Sequence, residues 1–265
     1  MIIIGEKINA TRKSIAEAIS ARDEGHIIAT AREQVAAGAD YIDLNGGDPN
    51  PETEVANMEW LVKLVQDNVD VPMCLDSSNV KAIEAGLALA SSKPIVNSVT
   101  LEPERLESFL PVLSEHECMV VGLCISDEGM PRGVDDRLER SVRLIEQLRG
   151  IGKKMDEIII DPAFLPASAE PDSGKVVCQA IAKIREKFPE VHIGGGLSNV
   201  SFGLPKRKYI NLAMVSMAIY SGMDAAIIDP CTPYMVPMIL AAEAVCGTDQ
   251  WCANYISAYR DGRLG

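Results

Sequence analysis

Short apolar runs rich in β-branched residues recur along the chain, and nearly every one gives way within a residue or two to a carboxylate or a carboxamide. The eight runs are MIIIGEKIN, YIDLN, MCLDSSN, PIVNS, MVVGLCIS, IIIDP, HIGGGLSN and AAIIDP. Their lack of polar alternation suits strands covered on both faces. Longer amphipathic segments separate them. Val55, Met58, Leu61, Val62 and Val65 paint one helical face, and Leu138, Val142, Ile145 and Leu148 paint another. Helix-length connections between buried strands imply parallel neighbours, and eight such units predict a (β/α)8 TIM barrel formed as a single domain over residues 1–265. An open doubly wound sheet is the alternative. No Gly-x-Gly-x-x-Gly turn follows the first run, and Gly194 and Gly196 are followed by Asn199 where a dinucleotide fingerprint needs its last glycine. Residues 250–259 predict one terminal helix.

In a barrel of this kind the C-terminal strand ends form the functional face. Those ends carry Glu6, Lys7 and Asn9, Asp43 and Asn45, Asp76 and Asn79, Asn97 and Ser98, Asp161, Ser198 and Asn199, and Asp229. Each one alone is equally a helix cap, and Asn79 before VKAIEAG reads as one. Glu6 and Lys7 read as an ion pair. Asp43 and Asn45, two apart on a strand, share a face and lie either in a core layer or on the pocket wall. Capping does not explain so many of these residues together.

Composition narrows the chemistry. The chain has 265 residues, 47% of them hydrophobic, and a formal net charge of −13, which disfavours nucleic-acid and anionic-membrane partners. Seven scattered cysteines without Cys-x-x-Cys spacing read mostly as reduced, buried small residues, and His26, His116 and His192 make no metal constellation, so no metal is expected. The Met1-to-Ile4 start carries no basic segment ahead of a long apolar stretch, and no run of roughly 18 apolar residues occurs. A cytoplasmic protein is expected. A ring of Asp and Asn without a histidine base or nucleophile suits recognition more than covalent chemistry. Carboxylates accept paired hydrogen bonds, carboxamides donate and accept, and the amino and ring N–H edge of a pterin matches that set.

GEKIN, DLN, MEWLV, CLDSSNVKAIEAGL, the NS after the fourth run, IDP with LPA, and GLSNVSFG stand here in the order and spacing of a known family. The chain resembles the methyltetrahydrofolate:corrinoid methyltransferases of the pterin-binding barrel family along its whole length. That resemblance implies transfer of a methyl group between N5 of tetrahydrofolate and the cobalt of a corrinoid (cobalamin), in either direction. Asp161 then takes the pterin amino group and adjacent ring N–H, Asp76 and Asn97 take the remaining ring nitrogens, and Asn199, beside Ser198, meets N5. Glu6, Asn9, Asp43, Asn45 and Arg207 are additional candidates, Arg207 or Lys206 for the glutamate tail of folate or simply as an exposed helix start. The glycines before Ser198 either let the strand pass close to a flat ligand or only kink it.

No Asp-x-His-x-x-Gly corrinoid signature is present, so the resemblance implies a corrinoid held by a separate partner protein, and it implies a homodimer. The chain departs from the acetogen enzyme at Phe202, where that enzyme has an amide side chain. Two rival readings remain. A dihydropteroate synthase would carry Ser-Arg-Lys where this chain has Ser198-Asn199-Val200, and a non-catalytic folate-binding subunit of a corrinoid complex would keep the same pocket.

Overall fold

The computed structural model describes residues 1–264. Among them, eight parallel strands form one sheet: β1 (Ile2–Asn9), β2 (Tyr41–Asn45), β3 (Met73–Asp76), β4 (Ile95–Val99), β5 (Met119–Leu123), β6 (Ile158–Asp161), β7 (His192–Ile193) and β8 (Ala225–Ile228). Neighbours run in sequence order from β7 back to β1, and β8 pairs with β1. The barrel closes between β7 and β8 through Asp224 N–H to Ile193 O (3.0 Å) and Ile227 N–H to Gly195 O (2.9 Å). The expected TIM barrel is what forms.

The crossovers are α1 (Lys13–Ala21), α2 (Glu24–Ala36), α3 (Pro51–Gln66), α4 (Val80–Leu89), α5 (Pro103–Glu115), α6 (Gly133–Gly150), α7 (Ser173–Lys187) and α8 (Arg207–Tyr220), followed by α9 (Met235–Cys246) and α10 (Ala253–Arg260). Asn50 caps α3 by accepting from Glu52 N–H, with Pro51 in the first turn, and Asn79 caps α4 by accepting from Lys81 N–H. The capping reading of Asn79 is therefore correct. The terminal helix is shorter than 250–259, because Trp251 and Cys252 hold positive φ and α10 starts only at Ala253. No helix among the described residues is long and apolar enough to cross a membrane.

Alternation along the strands sorts the core into two layers. Residues such as Ile42, Leu75, Val96 and Ile160 face the helices, while Ile4, Cys74, Ile95, Met119, Val121, Ile159, Ala225 and Ile227 fill the barrel. One residue further up the inward rows, the apolar filling gives way to Glu6, Asp43, Asp76, Asn97 and Asp161. Register keeps them level: Asp76 pairs with Asn97 and Leu123 with Asp161. β1 needs a further device, since its pairing to β2 shifts between Gly5 and Ile8. The bulge inserts one residue, so both Glu6 and Asn9 turn inward. Gln34 covers it from α2, accepting from Lys7 N–H at 2.9 Å, and a Cβ on Gly5 would strike that same side chain. The bulge also separates Glu6 from Lys7. Lys7 pairs instead with Glu33 (2.6 Å) and Glu6 with Arg12 (3.4 Å), which corrects the expected Glu6–Lys7 pair. All seven cysteines are free, but only Cys74, Cys118 and Cys124 are buried, so the expectation that most are core residues holds for those three.

Candidate functional site

A cavity of about 660 Å³ opens at the C-terminal end of the barrel, within the size range of small-molecule sites. Asp76, Asn97, Asp161, Ser198 and Asn199 all line it, as do Glu6, Asn9, Asp43 and Arg207. Asn45 is not on its wall. Its carboxamide N–H donates to Asp76 Oδ2 at 3.0 Å while its Oδ1 accepts from Gly47 N–H, so it fixes the Asp76 carboxylate from behind. Asn9 donates to the same oxygen at 3.4 Å, its own Oδ1 being held by Thr11 N–H and Oγ1. Asn97 donates to Asp43 Oδ1 at 3.3 Å. These bonds leave Asp76 Oδ1 and Asn97 Oδ1 without protein donors among the described residues.

Burial sets the electrostatics of this floor. Asp43, 1% exposed, has its carboxyl pushed well above the usual range by burial and then by the neighbouring Asp76 charge. Asp76 is also raised by burial, against the lowering effect of the Asn45 hydrogen bond and Arg105. Two carboxylates in low dielectric do not both ionise readily, and the more deeply buried Asp43 is raised the further of the two. Asp161 stands apart. Its Oδ1 accepts from Ala163 N–H at 2.8 Å and its Oδ2 from Gly196 N–H at 3.2 Å, yet burial still lifts its pKa to about 6. It is therefore ionised at neutral pH, with a lone pair on each oxygen left for a ligand carrying two parallel donors.

The three glycines of β7 and its exit have separate reasons. A Cβ on Gly194 would run into the Ala225 backbone at the barrel seam, one on Gly195 would land on the Asp161 carboxylate, and one on Gly196 would meet Asn199 Nδ2 at 2.9 Å. Close approach to a neighbouring strand and close approach to the site are thus both required. The turn Leu197–Ser201 then carries Ser198 and Asn199 over the cavity. Arg207 holds this turn in place, donating to Ser198 O (2.7 Å) and Ser201 Oγ (2.9 Å). Ser198 Oγ bridges both oxygens of Glu6 at 3.1 and 3.0 Å. Burial raises the Glu6 pKa, with Ser198 and Arg12 acting to lower it. Asn199 is exposed, and its carboxamide makes no hydrogen bond among the described residues.

Sequence reasoning overlooked the apolar wall of Leu123, Ile125, Phe164 and Leu165. For Leu123 and Ile125 a signal was available, because MVVGLCIS is the one run that contains no carboxylate or carboxamide itself, its first being Asp127 just beyond. It also overlooked Arg12, Met130 and the buried Arg137. The Arg137 guanidinium donates to Pro162 O (2.8 Å), Ala163 O (3.3 Å) and Gly133 O (2.9 Å), so it holds the loop beside Asp161. One wall is thus flat and apolar, the floor bears fixed acceptors, and Asn199 overhangs the opening with an unengaged carboxamide. Such a site suits a planar heterocycle rich in N–H donors.

The methylcorrinoid:tetrahydrofolate methyltransferase of Eubacterium limosum is 34% identical to this chain over 267 residues, covering 100% of this chain and 98% of that protein. The methionine synthase of Mycobacterium tuberculosis is 31% identical over 241 residues, a match that spans 86% of this chain and 20% of that longer protein. A dihydropteroate synthase from Coxiella burnetii, solved with pteroic acid, superposes with a TM-score of 0.72 over 94% of each chain at 14% identity, a likeness of fold alone. Residues 5–229 match the family described as pterin binding enzyme, and with that match over most of its length the chain belongs to this family.

Proposed function

We propose that this protein is a methyltransferase that moves a methyl group between N5 of tetrahydrofolate and the cobalt of a corrinoid carried by a separate protein. The observation that carries the reading is the convergence of Asp76, Asn97 and Asp161 on one cavity, each with free acceptor capacity, beneath the exposed Asn199. The full-length similarity to a methylcorrinoid:tetrahydrofolate methyltransferase supports it.

In this reading Asp161 receives the pterin amino group and its neighbouring ring N–H, and Asp76 with Asn97 receives the remaining ring nitrogens. A site with these buried acceptors rejects analogues lacking the donors, since its own groups would be left unpaired. The Leu123, Ile125 and Phe164 wall takes a face of the ring. A methyl on a tertiary amine is a poor leaving group until that nitrogen is protonated, and Asn199 Oδ1 favours the protonated form by accepting its N–H. The reduced cobalt supplies the nucleophile, so the protein contributes orientation and electrostatics. The same contacts serve the reverse transfer. The test is spectrophotometric, with methyltetrahydrofolate plus reduced cobalamin in one cuvette and methylcobalamin plus tetrahydrofolate in the other. Change of cobalt state in either supports the reading. Folate binding without transfer, even with a cognate corrinoid protein, would leave only a carrier.

We also infer a cytoplasmic homodimer. On α8, Tyr209, Met217 and Tyr220 are 61%, 48% and 82% exposed, and on the adjacent α9 Val245 is 88% exposed. An apolar face without exposed carboxylates among these side chains, with Lys208 over the Tyr209 ring, is where a copy of a chain of net charge −13 docks with less repulsion than elsewhere. Light scattering is expected to give twice the chain mass, falling to one with Tyr220→Asp. A wild-type monomer at micromolar concentration refutes this.

A further inference from the structure

The turn Leu197–Ser201, which carries Asn199 over the cavity, is braced from within. Asn199 N–H donates to Gly196 O at 3.1 Å, Phe202 N–H donates to Asn199 O at 3.0 Å, and Ser201 Oγ donates to Ser198 O at 3.0 Å. The turn therefore moves as one piece, and the place of the Asn199 carboxamide depends on what ties that piece to the barrel. On the β6 side the ties are Ala167 N–H to Val200 O (2.9 Å), Ser168 Oγ to Phe202 O (2.9 Å) and Gly196 N–H to Asp161 Oδ2 (3.2 Å). From the start of α8, Arg207 holds Ser198 O and Ser201 Oγ. On the β1 side the tie among the described residues is Glu6, whose two oxygens accept from Ser198 Oγ at 3.1 and 3.0 Å.

A carboxylate is costly to keep at that place. Its inward direction depends on the β1 bulge that Gln34 covers, and burial raises its pKa against the opposing effects of Ser198 and Arg12. Backbone irregularity and a buried carboxyl occur together where a side chain has to be held at one point. That point is Ser198, the residue next to Asn199, whose own carboxamide makes no hydrogen bond among the described residues. Glu6 thus fixes from the barrel floor what the exposed Asn199 does not fix for itself. A reacting group misplaced by about 1 Å can cost on the order of 100-fold in rate.

We propose that Glu6 is the positioning residue for Asn199, acting through the Ser198 hydroxyl and touching neither the pterin nor the reacting atoms. The proposal rests on the methyl-transfer reading and gives Glu6 a task other than pterin contact.

The test follows transfer and folate binding in the full chain. Glu6→Ala should lower kcat by about tenfold while changing Kd for methyltetrahydrofolate by less than about 3-fold, because a misplaced Asn199 is felt as the nitrogen gains charge and little before. Ser198→Ala removes the other half of the bond, leaves the carboxyl in place, and should give a loss of the same size. Glu6→Gln keeps the reach and an acceptor for the hydroxyl, so it should recover most of the activity. In an Asn199→Ala background, Glu6→Ala should cost less than about 2-fold further, since the carboxamide it positions is gone. Amide exchange, which needs neither ligand nor turnover, should quicken in both alanine variants at Gly196 and Ala167, whose N–H groups are the remaining ties on the β6 side. A tenfold loss in both backgrounds overturns the proposal, because damage to the fold or a direct catalytic task would persist without Asn199. A Kd that rises as kcat falls overturns it in favour of pterin contact, and Gln as poor as Ala overturns it in favour of a role for the charge. Unchanged exchange overturns it as well. Quickened exchange in a protein whose unsubstituted form transfers no methyl would count against the methyl-transfer reading alone and support the anchoring of the turn.

Discussion

In the proposed reading Asp161 must be ionised to hold the pterin, and its burial opposes that ionisation. Moving its carboxyl from the ordinary 3.8 to about 6 corresponds to about 3 kcal/mol. The folded protein holds this proton more tightly than the unfolded chain. The contribution to stability is therefore complete below pH 3.8 and is lost as the pH rises to about 6. A ligand presenting two N–H donors reverses the balance, because it pairs only with the ionised form. Pterin affinity should thus be flat above about pH 7 and weaken by up to tenfold per unit below about 6, and the thermal stabilisation given by pterin should grow between pH 5 and 7. Asp161→Asn should bind at least 100-fold more weakly, because it turns one acceptor into a donor facing the ligand or a backbone N–H, and its pH profile should be flat across this range. A profile unchanged by the substitution would move the pterin anchor elsewhere. Asn199 makes the opposite case. Its carboxamide is unengaged and in the proposed reading would meet a nitrogen that gains charge only during reaction, so Asn199→Ala should lower kcat by 10-fold or more while changing Kd by less than about 3-fold. Equal losses in the two would make it a binding residue only.

At the scale of elements, the strand ends were legible because a buried parallel strand is a continuous apolar run, and its first Asp or Asn marks the rim. That logic located β2, β3, β4 and β6 together with Asp43, Asp76, Asn97 and Asp161, which line the cavity, and it located β8. It located β7 too, although only two residues there have strand pairing and the rest of HIGGGLSN forms the seam and the turn. The β1 bulge was not legible. It depends on Gln34 capturing Lys7 N–H across the helix layer, a contact separated by 27 residues, and it decided the partners of Glu6 and Lys7. The position of Asn45 behind Asp76 was hidden for a similar reason, since period-two alternation gives the face and not the depth. The glycine run is where element and site meet, and two substitutions separate its duties. Gly194→Ala pushes β7 off the Ala225 backbone and should cost roughly 3 kcal/mol or more of stability with correspondingly poor expression. Gly195→Ala instead drives a methyl into the Asp161 carboxylate and should abolish pterin binding with the smaller loss of melting temperature. Urea titration and ligand binding on the two variants check this, and the reverse ranking would show that Gly195 serves the seam.

At the scale of the whole molecule, the cavity opens at the C-terminal mouth of the barrel, and in the proposed reading the corrinoid of a partner protein comes over that mouth. The rim is suited to this. Phe202 and Met130 line the cavity and stand 64% and 53% exposed. Phe202 is fixed from below by its backbone, its carbonyl accepting from Ser168 Oγ at 2.9 Å, while its ring has no cover. Exposed apolar side chains beside an active cavity lower the free energy of the protein only when something covers them, and a corrin macrocycle approaching N5 would bring an apolar face to that place. Phe202→Asp should therefore raise KM for the corrinoid protein by about tenfold, about 1.4 kcal/mol, and affect turnover with saturating free cobalamin far less. Phe202→Leu should recover most of the loss, since it restores apolar cover without the ring. If Phe202→Asp slows the reaction equally with free and protein-bound corrinoid, the ring acts on the folate, and the departure from the acetogen motif at this position is a change in pterin recognition instead of a change in how the two proteins meet.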